Sequence, residues 1–98
     1  MTNCYGEREG GHCLLRLEGH ATGKPEVCAA ISGLVYALAG YLSNTESEIY
    51  RMSLEPGDVT LHFNGGEREI GAFEMTVIGL RQLEKQYPEQ VKAKIWRE

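Results

Sequence analysis

Two residues with the chemistry of a nucleophile and its base stand close together in the chain: His20, which follows Gly19, and Cys28, with residues 21–27 between them. A cysteine attacks as thiolate, and a helix N-terminus or a neighbouring imidazolium brings a thiol pKa from ~8.5 down to roughly 3.5–7.5. A histidine near neutrality is suited to taking the thiol proton and returning it to a leaving amine, so the pair would support acyl transfer. Ser32, one helical turn beyond Cys28, offers a hydroxyl to a reacting group or to a carbonyl of its own helix. The N–H groups of the same first turn are candidate oxyanion donors. A plainer reading of these residues is also open. Free cysteine is among the most buried residue types, and Cys28 sits beside Ala29 and Ala30, while His20 alone would pass for a strand-end histidine.

For the pair to meet, a strand must end at His20 and a helix must begin just before Cys28. Cys13, Leu15 and Leu17 alternate with Leu14, Arg16 and Glu18, which predicts a strand with one better-buried face. Residues 2–5 are its expected hairpin partner, across a turn at 6–11 that has turn composition. From Pro25 the period changes: Val27, Ala30, Ile31, Leu34, Val35, Leu38 and Leu42 recur at three- and four-residue steps, predicting a helix over 25–42 with proline at its first position. On that helix Cys28 falls about 80° from the centre of the apolar stripe, at the rim of the core.

Two runs of β-type residues, 49–54 and 59–63, flank Glu55-Pro56-Gly57-Asp58, whose central Pro and Gly suit a type II turn in a hairpin. A second helix is expected over 69–87, ended by Pro88, with Met75 and Ile78 outside its main stripe and available to a second subunit. An edge strand over 91–96 closes the chain. Strands before and between two helices predict an α/β (α+β) fold, a two-layer sandwich of a mixed β-sheet packed against two helices, as one domain over residues 1–98.

Composition narrows the function. Ninety-eight residues suffice for one core. The net charge of −4 provides no basic field for a nucleic-acid backbone and favours a basic protein or peptide partner. The apolar stretch 27–42 is interrupted by Ser32, Gly33 and Gly40 and is shorter than the ~20 residues that cross a bilayer, so no membrane association is expected. Residues 1–11 lack the apolar run of a signal peptide, and three cysteines leave one unpaired in any pairing; both point to a reducing cytoplasm. Cys4, His12 and Cys13 do not have the spacing of a zinc site, and no metal or cofactor is expected. His62 alternates with Leu61 and Phe63 and reads as a solvated histidine. Glu67 and Glu69 are explained by the helix dipole, and Tyr41 and Trp96 by packing.

Gly19-His20-Ala21, then Gly23, then Val27-Cys28-Ala29-Ala30-Ile31-Ser32-Gly33-Leu34 resemble the signature of the ribosomal-processing cysteine protease family Prp. Ile78-Gly79-Leu80 and Tyr87-Pro88 resemble that family's later positions. The resemblance implies a homodimeric cytoplasmic peptidase that removes an N-terminal extension from a large-subunit ribosomal protein. It assigns the catalytic dyad to His20 and Cys28, with Gly19, Ala21, Gly23 and Ser32 as supporting or substrate-binding residues. Two other readings keep the same fold: a phage-type peptidase that matures capsid or scaffold protein, and a non-enzymatic dimeric adaptor. The chain departs from the family pattern in having a shorter His-to-Cys loop, and Pro25 where an Asp usually precedes the cysteine by three positions. Either Glu26 replaces that carboxylate, or the chain is a divergent paralogue.

Overall fold

Side-chain alternation carries the first strand further than turn composition suggested. The computed structural model describes residues 1–20 and 24–95. Within it β1 (Thr2–Glu9) and β2 (His12–Glu18) form an antiparallel hairpin whose turn is only Gly10-Gly11, with Gly10 at φ +61°. Strand one had been expected to end at Tyr5, with 6–11 as turn. Instead Gly6 is buried opposite Leu15, and Glu7 and Glu9 alternate onto the solvent side opposite Leu14 and His12. Their charges are no obstacle to a strand because that face is wet.

Helix α1 (Pro25–Ser43) follows, with Pro25 in the first turn, and turns Val27, Ile31, Val35, Leu38, Ala39 and Leu42 into the core. It is long and apolar enough by composition to cross a membrane. Its buried residues nevertheless join Leu15, Leu17 and Leu61 of the sheet in the core. The Asn44 side chain donates to the Gly40 carbonyl at 2.7 Å, an acceptor that the helix end leaves open, and the Ser43 hydroxyl donates to the Ala39 carbonyl at 2.9 Å.

Strands β3 (Glu48–Glu55) and β4 (Asp58–Asn64) make the second hairpin around Pro56-Gly57, with Gly57 at φ +72° as a type II turn requires at that position. Helix α2 (Glu67–Gln86) starts two residues earlier than its periodicity indicated. The Gly66 N–H donates to the buried Glu69 carboxylate at 2.8 Å, so Glu69 caps the helix directly and does not serve only through the dipole. The last strand is β5 (Val91–Ile95). Trp96 lies outside the described residues.

The sheet order is β3-β4-β2-β1-β5, with β5 an edge strand parallel to β1 and every other pair antiparallel. Cys4, Cys13, Leu15, Leu17, Leu61 and Phe63 meet the buried faces of both helices in one core. The fold is therefore the expected α+β sandwich. The register that puts Cys13, Leu15 and Leu17 inside puts His12, Leu14 and Arg16 on the opposite face.

Candidate active site

His20 stands two residues past the end of β2, and its main chain is held from several sides. Gly19 takes φ +91°, and its N–H donates to the Gly57 carbonyl at 2.9 Å. The Thr2 hydroxyl donates to the Gly19 carbonyl at 3.4 Å, and the Met1 ammonium donates to the His20 carbonyl at 2.6 Å. The exposed ring rests against the β3–β4 turn, where Nε2, Cε1 and Cδ2 lie nearest the point a Gly57 side chain would occupy.

Cys28 is the fourth residue of α1, half-buried and packed against the core. It and His20 line one cleft of about 270 Å³. Leu17, Ile31, Val35, Leu54 and Val59 give this cleft an apolar floor. Exposed Ser32, Tyr36, Glu55 and Asp58 stand around it. Ser32 thus joins the pair, and Gly19 also lines the cleft. Ala21 and Gly23 lie outside the described residues.

Two expectations are corrected by this geometry. The N–H groups of Val27 and Cys28 donate to the Lys24 carbonyl at 3.0 and 3.3 Å, and proline has none. Among the described residues this leaves the Glu26 N–H as the first-turn donor for an oxyanion. Glu26 itself is exposed and does not line the cleft, whose carboxylates are those of Glu55 and Asp58. Cleft residues that sequence reasoning missed include Thr2, Tyr36, Leu54, Gly57 and Val59. Tyr36 was within reach, because Cys28, Ser32 and Tyr36 recur every fourth residue and drift only slowly around a helix. The hairpin residues were not, because they depend on β4 pairing with β2.

The other thiols contrast with Cys28. Burial pushes Cys4 up to about 12, with the Glu84 charge adding to it. Burial likewise pushes Cys13 up to about 11, opposed by Arg8 and assisted by Glu74. Cys13 faces the core while His12 faces solvent, where it stacks on Tyr50 at 5.7 Å between ring centroids. The three residues weighed for zinc therefore diverge, and among the described residues no metal-binding group of three occurs.

A half-buried thiol in a helix's first turn and an imidazole thus line the same apolar cleft, the two residue types that thiol-based acyl transfer uses. The family model of cysteine protease Prp matches residues 1–92, and the chain belongs to that family. No curated protein matches it. Among solved structures, the ribosomal processing protease Prp from S. aureus with a covalently linked product peptide superposes with a TM-score of 0.83 at 14% identity, covering 98% of this chain and 100% of that one. The same protease with a substrate peptide gives 0.72 at 15% identity, with the same coverage. SMU.848 from Streptococcus mutans gives 0.78 at 26% identity, covering 100% of this chain and 96% of that one.

Proposed function

We propose that this cysteine protease removes an N-terminal extension from a large-subunit ribosomal protein in the cytoplasm, with Cys28 as nucleophile and His20 as its base. The observation that carries this reading is that both side chains line one cleft with an apolar floor. His20 takes the thiol proton, and the Cys28 sulfur forms a bond to the scissile carbonyl carbon. The carbonyl oxygen gains negative charge, toward which the Glu26 N–H is the remaining first-turn donor. The C–N bond then breaks as the imidazolium gives its proton to the departing amine. Water, deprotonated by His20, attacks the thioester and releases the new C-terminal carboxylate, and the thiol is regenerated.

Ser32 stands one turn from the sulfur and supports the bound peptide from the cleft edge, with Gly19 shaping the approach to the histidine, while Ala21 and Gly23 keep the supporting or substrate-binding role that the resemblance implies. A protein of net charge −4 with Glu55 and Asp58 at the cleft suits a basic substrate such as a ribosomal protein. The working unit in this reading is a homodimer. Met75 and Ile78 on α2 are 68% and 52% exposed, apolar surface that a second copy would cover.

The test is incubation with an N-terminally extended large-subunit ribosomal protein followed by mass spectrometry. One cut near the substrate N-terminus is expected with the native chain and none with Cys28→Ala. An uncut substrate, or a cut that persists in Cys28→Ala, would remove the proposal.

A further inference from the structure

Glycine at position 57 meets two separate demands. The first belongs to the turn: with Pro56 before it, Gly57 takes φ +72° so that β3 can fold back on β4. Asparagine takes that backbone with less strain than other side chains do, so the turn alone favours glycine without strictly requiring it. The second demand belongs to His20. A Cβ built on Gly57 would run into Nε2 of the imidazole and lie 2.8 Å from Cε1, closer than real Cβ contacts come, with Cδ2 at 3.0 Å. The distal edge of the ring occupies the space that any other amino acid would fill.

Gly10 provides an internal comparison. It takes φ +61° in the β1–β2 turn, and a Cβ there would meet nothing within 4 Å. The two turn glycines share a backbone requirement, and only one carries a histidine. The Gly57 carbonyl moreover accepts the Gly19 N–H at 2.9 Å, which ties the same turn to the residue just before His20.

We propose that Gly57 is a positioning residue for His20: the β3–β4 turn forms a shelf under the imidazole and sets where its nitrogens stand relative to Cys28. This rests on the reading of His20 as the base. It extends that reading to the far side of the cleft, where no side-chain carboxylate is hydrogen-bonded to the ring among the described residues. A side chain at position 57 lifts the ring and misplaces the proton acceptor while the apolar floor that binds substrate stays as it was. Turnover then falls and substrate affinity holds.

The experiment compares native protein with Gly57→Asn, Gly57→Ala and Gly10→Asn. Asparagine keeps the positive φ at the least strain of any side chain, and Gly10→Asn bears the same kind of backbone strain without the ring contact, so the difference between the two isolates that contact. With a peptide spanning the cleavage site, Gly57→Asn is expected to lower kcat by on the order of 10- to 100-fold, as misplacement by about an ångström does, with KM within about twofold. Gly10→Asn should match native protein. In parallel, the His20 Cε1–H resonance should move in both Gly57 variants and stay in place in Gly10→Asn. The loss of stability caused by Gly57→Asn should also shrink when His20 is first replaced by alanine, because the added Cβ then has no ring to displace.

An unmoved His20 resonance in Gly57→Asn, or a stability loss indifferent to His20→Ala, overturns the shelf. So does an equal fall of kcat in Gly10→Asn. The resonance and the stability cycle need no turnover, so an inactive native protein would sink the peptidase reading and still leave these two measurements to decide the role of Gly57.

Discussion

Cys28 differs from the other two cysteines in access before it differs in anything else. Cys4 and Cys13 are fully buried on the helix side of the sheet, and their thiols are pushed up to about 12 and about 11, so at neutral pH they are protonated and shielded. Cys28 opens into the cleft. Iodoacetamide at neutral pH should therefore label Cys28 at least about tenfold faster than either of the others, read by peptide mapping. Equal labelling of all three in folded protein would show that the assigned burial is wrong. His20 and Cys28 were both legible from residue type and from their places at a strand end and a helix start. Gly57 was legible only as a turn former. Its contact with His20 depends on β3–β4 folding back beside β2, a juxtaposition that local spacing does not encode.

At the scale of elements, helix periodicity was the most readable signal. Both helices came within two residues of their observed bounds, because a 3.6-residue apolar stripe is set by the core it must cover. The first strand was read short because Glu7-Arg8-Glu9 looks like a turn by composition, whereas on a sheet with one wet face charges at alternate positions are ordinary. Helix packing yields its own prediction. Gly79 on α2 lies where a Cβ would come 2.8 Å from the Leu34 side chain of α1, while Gly71 on the same helix has nothing within 4 Å. Gly71→Ala should raise stability by roughly 0.5–1 kcal/mol through helix propensity. Gly79→Ala should forfeit that gain and end neutral or destabilised by about 1–2 kcal/mol, since Leu34 must leave its place. Urea denaturation of the two variants checks the order, and a larger gain from Gly79→Ala would refute the close helix contact.

For the molecule as a whole, two consequences can be measured in bulk. If the exposed Met75 and Ile78 are covered by a second copy, light scattering should report about twice the 10.9 kDa chain mass, and Met75→Glu should return it to the monomer value. A monomer in the native protein would count against the dimer. The buried thiols also make alkaline stability informative. Their folded values lie above the ordinary 9.0, so between pH 9 and about 11–12 the unfolded chain sheds protons that the folded chain keeps. Stability is then full below pH 9 and declines as pH rises through that window. Tm followed across it should fall less steeply in Cys4→Ala and Cys13→Ala, whatever their starting stability; unchanged slopes would contradict the raised values. The central claim is that Cys28 and His20 act as one catalytic unit. The most direct measurement is kcat/KM on a single peptide substrate for Cys28→Ala, His20→Ala and the double variant. Members of one unit fail together, so each single variant should lose at least about a thousandfold and the double variant should be no worse than the poorer single one. Substantial turnover in either single variant, or losses that multiply in the double variant, would contradict a shared dyad.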